Sequence, residues 1–167
     1  MAHPLSALGV VHTIISLAPL VAGVVALVRR QVIDPRTRAG LVYLAGLTLS
    51  VLTSFGLSSS GGFNAGHALG ILALLAAFGS IAIARLTFLG SLRPYLAALG
   101  MSFSFFLLLV PGINETLTRL PTTHPLATGP ESPVVQTALL TWLVTFVVGF
   151  VAQVRLIQRR ARKTAGG

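Results

Sequence analysis

Long apolar runs alternate with short polar connections along this chain. Five runs reach the roughly 17–25 residues that a helix needs to cross a hydrocarbon core. They cover about 8–28, 39–57, 66–84, 92–110 and 133–154. The first stops at Arg29-Arg30, and the second dissolves into Ser58-Ser59-Ser60-Gly61-Gly62, a flexible turn signal. The third stops at Arg85, and the fourth is interrupted by Pro111-Gly112. The fifth starts near Pro133, with Ser132 as an expected N-cap and proline in the first turn. The pattern predicts an all-α fold, a polytopic membrane helix bundle with five transmembrane helices spanning 1–154. A basic cytoplasmic tail at 155–167 follows. Residues Ile113 to Leu120 can form a further short helix, since nothing breaks it before Pro121.

Charge fixes the expected sides. Every basic residue except Arg119 flanks the end of an apolar run. Arg29, Arg30, Arg36 and Arg38 follow the first, Arg85 and Arg93 follow the third, and Arg155, Arg159, Arg160, Arg162 and Lys163 follow the fifth. Connections rich in Lys and Arg stay inside, which places the N-terminus outside and the C-terminus inside. Met-Ala-His-Pro-Leu lacks the positive start of a signal peptide, so the first run is expected to be a retained helix. Asp34-Pro35 makes the first inner connection a tight turn, with Asp34 expected to pair a neighbouring arginine.

Composition narrows the class further. Charged residues make up 9% of the chain, against about 25% in an ordinary globular protein, so lipid must cover most of the exterior. The lipid bilayer is therefore the first expected partner, in a bacterial-type cytoplasmic membrane. The formal charge of +9 does not point to nucleic acid, because no basic-aromatic face accompanies it. With no cysteine, disulfides, thiol redox chemistry, Cys-based zinc sites and iron–sulfur clusters are excluded. No internal repeat supports an inverted-repeat transporter.

The candidate chemistry lies toward the outer side. His12 sits about four residues into the first run, roughly 6 Å below the interface. With Ser16, Pro19 and Gly23 it forms one helical stripe, small and polar, expected to face the bundle. His67 opens the third run just after Asn64, a candidate cap. Two histidines from separate helices at similar depth can ligate a b-type haem axially. They can also join a metal site completed by Glu115, His3 or His124, or handle protons beside a quinone. The plainer alternative is a pair of neutral imidazoles bonded to helix carbonyls or hydroxyls. Glu115 and Arg119, four apart, form an ion pair if that stretch is helical, and packed beneath the outer loop they would lock helix four against helix one. Gly62, Gly66 and Gly70 form a small-residue stripe expected to serve helix packing within the bundle. The hydroxyls of Ser102, Ser104, Thr137, Thr141 and Thr145 are expected on their own helix carbonyls, and Trp142 in packing. No phosphate loop, paired carboxylate or Ser/His/Asp constellation is present, so no catalytic residue is assigned.

The order of these features resembles a family of small bacterial integral membrane proteins known as a domain of unknown function. The matching elements are His12; Phe63-Asn64-Ala65-Gly66-His67; Glu115 through Arg119 to Pro121; and Arg36-Thr37-Arg38-Ala39-Gly40-Leu41-Val42-Tyr43 at the start of helix two. The resemblance covers roughly 8–121 and implies a multi-helix membrane fold. Family members carry histidines near the starts of helices two and four, where this chain has Arg36 and Arg93 or Tyr95. The expected function is a non-enzymatic multi-pass membrane protein or accessory subunit, alone as a homo-oligomer or with a membrane-protein partner. Its site would lie outward, around His12 and His67. The alternative is a b-type haem or quinone-linked redox protein.

Overall fold

The computed structural model describes residues 7–57 and 62–165, which are helical with no strand among them. Five helices follow one another: α1 (Ala7–Arg30), α2 (Arg38–Ser54), α3 (Ala65–Ile83), α4 (Arg93–Arg119) and α5 (Pro133–Ala165). A single 3-10 turn, Phe55–Leu57, extends α2, and two short 3-10 turns kinked at Gly90, Thr87–Leu92, precede α4. All five are long and apolar enough to cross a membrane. His3 and the serines at 58–60 lie outside the described residues.

Two boundaries differ from expectation. α4 runs through Pro111 without stopping, so Ile113–Leu120 is the end of this helix rather than a separate one. A proline inside a helix loses one backbone bond, and the stretch after it carries its own i,i+4 pair with no further breaker before Pro121. α5 continues past Val154 through the basic segment to Ala165. Arg, Leu, Gln, Ala and Lys are strong helix formers, and cations favour a helix C-terminus.

The connections are settled by local hydrogen bonds. Asp34 accepts from the backbone N–H of Arg36 at 2.9 Å and so closes a turn instead of pairing an arginine. Thr37 caps α2 by accepting from Gly40 N–H at 3.1 Å. Ser132 does not cap α5 as expected. Its hydroxyl accepts from Thr128 and Gly129 N–H, holding the preceding loop.

Close packing follows the small residues. The predicted stripe on α1 is the seam with α2. His12 and Ser16 bond Thr53 and Ser50, fully buried Pro19 rests against Gly46, and Gly23 receives the Phe105 ring. A Cβ at Gly46 would stand 2.6 Å from the Pro19 ring, and one at Gly23 would stand 2.5 Å from Phe105. Gly70 meets Val51 of α2, which makes the Gly62–Gly66–Gly70 stripe partly an intrachain packing feature. Gly100 of α4 lies against Ser80 and the Ala76 carbonyl of α3.

α4 is the central element, touching α1, α3 and α5. Its Phe105 and Met101 join Tyr43 and Leu47 in the core. Buried polar bonds tie it to its neighbours: Tyr43 to Ser104 at 2.7 Å, Ser80 to the Ala97 carbonyl at 2.7 Å, and Ser102 to Gln153 Oε1 at 2.8 Å. α5 packs on α4 through Trp142 and Phe146 against Phe103 and Phe106, and Trp142 Nε1 donates to the Phe106 carbonyl at 3.1 Å.

Candidate functional site

The antiparallel succession gathers His12, Asn64, His67, Glu115 and Arg119 at one end of the bundle and every other Lys and Arg at the opposite end. The two histidines do not face each other. Both grip the C-terminal end of α2, at the adjacent residues Thr53 and Ser54.

His67 occupies the third position of α3. Asn64 Oδ1 accepts the His67 backbone N–H at 3.1 Å, and His67 Nδ1 accepts the Asn64 backbone N–H at 3.2 Å, a reciprocal capping box with imidazole in the usual place of Glu or Gln. With Nδ1 as acceptor, Nε2 carries the proton and donates to the Ser54 carbonyl at 3.1 Å. That carbonyl belongs to the last turn of α2, where the α-helical ladder ends and only the 3-10 turn Phe55–Leu57 follows. Phe55 stacks on the ring at 4.5 Å and 10°, and Phe63 covers it at 5.8 Å. The residue is 3% exposed. One side chain therefore starts α3, ends α2 and fills the space between them.

His12 works along the α1–α2 seam. The Thr53 hydroxyl donates to the Leu49 carbonyl at 2.8 Å, so its oxygen accepts from His12 Nδ1 at 2.8 Å. This assigns the tautomer and leaves the Nε2 lone pair toward Ser16 Oγ at 3.4 Å. Ser16 in turn meets buried Ser50 at 2.6 Å. The chain of hydroxyls and imidazole begins and ends on α2. It contains no acid and reaches no further helix, so it acts as a clasp between α1 and α2 rather than a path across the bundle.

Glu115 and Arg119 form the predicted i,i+4 ion pair, the one pair between described side chains. Their side chains are 52% and 67% exposed, so the pair does not lock α4 beneath the outer loop. That loop is held instead by backbone bonds from Leu126 and Ala127 to the Leu120 and Leu117 carbonyls. Asn114 Oδ1, a group the sequence reading did not single out, is buried at this end without a donor.

The donor set does not fit an axial haem pair or a metal shell. Neither nitrogen of His67 is free, and aromatic rings cover its faces. Among the described residues no three His, Asp or Glu side chains converge, and His124 and Glu131 lie exposed in the α4–α5 connection. Two surface hollows run along α5, one beside Pro133 and Thr141 and one beside Leu156 and Lys163, and neither touches a histidine. Sequence position located the histidines at one depth, but the groups that engage them, Thr53, Ser54 and Phe55, carried no such signal. No family model, curated protein or solved structure matches the chain.

Proposed function

We propose that the chain is a non-enzymatic multi-pass protein of a bacterial-type cytoplasmic membrane, N-terminus outside and C-terminus inside, acting as an accessory subunit or homo-oligomer. The observation that carries the reading is the engagement of both His67 nitrogens by backbone groups. A residue committed in this way joins helices and offers no lone pair to a cofactor. The eleven-to-one division of basic residues supports the orientation by the positive-inside rule.

An absorption spectrum of gently purified protein from haem-replete cells tests the cofactor question. The expected protein is colourless, whereas a stoichiometric Soret band lost in His12→Ala or His67→Ala would establish the redox alternative. Purification in mild detergent should recover a stoichiometric partner or a defined oligomer, and repeated recovery of a lone monomer refutes the subunit role. Reporter fusions at each terminus check orientation, since a cytoplasmic N-terminus reverses the side assignment.

A further inference from the structure

We propose that the basic end of α5 is a binding site for the phosphate of anionic phospholipids, formed by Arg155, Arg159 and Arg162 on the lipid-facing side of the helix. α5 buries one stripe, marked by Val135 and Gln153 and by the partly covered Trp142 and Phe146. Opposite that stripe, Val144, Val148 and Val151 are exposed along the membrane-spanning turns. At 100° per residue, the same outward face continues through Arg155, Arg159 and Arg162, all exposed. A surface that meets acyl chains thus passes without a break into one that presents three guanidinium groups.

Depth supports the assignment. The contacts Phe106–Phe146 and Ser102–Gln153 set an antiparallel register between α4 and α5. In that register Arg159 stands level with Arg93 to within a helical turn. Arg93 begins α4, and the turn before it, Thr87–Leu92, carries Phe88 and Leu92 at 80% and 60% exposure between Arg85 and Arg93. Exposed apolar side chains flanked by arginines mark the boundary between acyl chains and headgroups. Arg155 then lies about 6 Å inside that boundary and Arg162 about 5 Å outside it. Long side chains leaning along the helix bring all three guanidinium groups into the phosphate layer, where Arg takes phosphate through a bidentate fork.

Among the described residues no acidic side chain pairs with the site. Glu115 belongs to the other end of the bundle, Glu131 lies before α5 starts, and Asp34 is bonded within its own turn. Free inorganic phosphate offers the same chemistry, but the position beside exposed valines selects a phosphate that carries acyl chains.

Native mass spectrometry after release from nanodiscs of mixed phosphatidylglycerol and phosphatidylcholine tests the site. Both leaflets hold anionic lipid there, so orientation does not affect the result. The protein should retain phosphatidylglycerol preferentially. Affinity should fall about fivefold for each Arg→Gln change at 155, 159 or 162, and roughly a hundredfold for all three. Arg119→Gln, which removes the same charge at the opposite end, should leave retention unchanged, and the triple Arg→Lys variant should keep more of it than the triple Gln variant. Equal retention of both lipids, or a triple Gln variant that binds as the parent does, overturns the proposal. So does displacement by inorganic phosphate at similar concentration, which would assign a free anion. A dimer cross-linked through Val144 and Val148 would cover this face with a second copy and overturn it as well.

Discussion

Replacing His67 by alanine should destabilise the bundle by about 2–3 kcal/mol, and the parts of that figure can be separated. The bond from Nε2 to the Ser54 carbonyl joins α2 to α3, and interhelical hydrogen bonds in membrane proteins average about 0.6 kcal/mol. Loss of the reciprocal cap leaves the Asn64 N–H without its acceptor, worth about 1 kcal/mol. The stacked contact with Phe55 contributes about 0.5–1.5 kcal/mol. The assay is reversible unfolding in bicelles by titration with a denaturing detergent, with His67→Gln and Phe55→Ala beside the alanine variant. Glutamine can restore the reciprocal cap without the stacking, so it should recover roughly 1 kcal/mol. A double-mutant cycle between His67 and Phe55 should show coupling of about 0.5–1.5 kcal/mol. A His67→Ala protein as stable as the parent, within about 0.3 kcal/mol, would refute the idea that this side chain joins the two helices.

Five further outcomes are expected. Gly40→Ala should prevent stable folding, measured as loss of the monodisperse peak and of the unfolding transition, because its Cβ would stand 1.9 Å from the Asp34 carbonyl oxygen. Gly149→Ala, where a Cβ meets nothing within 4 Å, should be neutral or stabilising by up to about 1 kcal/mol in the same assay. Gln31 holds φ 64 just past α1, so Gln31→Gly should raise stability by about 1 kcal/mol through relief of the left-handed conformation. Ser102→Ala leaves Gln153 Oε1 buried without its donor and should cost about 1 kcal/mol more than the double variant Ser102→Ala/Gln153→Leu; equal costs would show that the pair is solvated. By contrast Glu115→Gln should change stability by a few tenths of a kcal/mol, as exposed ion pairs do.

Position was legible in the sequence wherever one chemical property alone determined it. Length and apolarity are sufficient to define a membrane-crossing helix, and the small polar stripe from His12 to Gly23 could face lipid only at a cost, so it turned inward. Helix ends were less legible because competing signals act there. Pro111 reads as a break by its own chemistry, yet the helix gives up one backbone bond there and continues through the Glu115–Arg119 pair to its end at Arg119. Ser132 reads as a cap, but its hydroxyl has closer donors in the loop behind it. Ser102 reads as a donor to its own helix carbonyl, since nothing in α4 reveals that Gln153, fifty-one residues onward, arrives at the same depth and accepts instead.

The histidines show where depth ceases to be informative. Helical arithmetic places His12 and His67 near one another along the membrane normal, and a shared ligand would require that coincidence. It does not require that the rings point at each other, and they do not. The sequence already held a reason: α2 ends in Leu49-Ser50-Val51-Leu52-Thr53-Ser54, beside both histidine-bearing helices, and only one 3-10 turn follows, so its last carbonyls have room for a further donor. A donor beside those carbonyls removes an unfavourable exposure, and imidazole, able to donate from one nitrogen while accepting at the other, also begins the next helix with the same ring. Histidine at the third position of a helix that follows a buried helix end is therefore better explained by termination than by ligation. The test is chemical: an Asn64→Ala variant should weaken α3 capping by about 1 kcal/mol while leaving the Nε2 bond to Ser54 intact, so its cost should remain below that of His67→Ala. If Asn64→Ala costs as much as His67→Ala, the α2 carbonyl has no part in holding the ring, and the histidine serves its own helix alone.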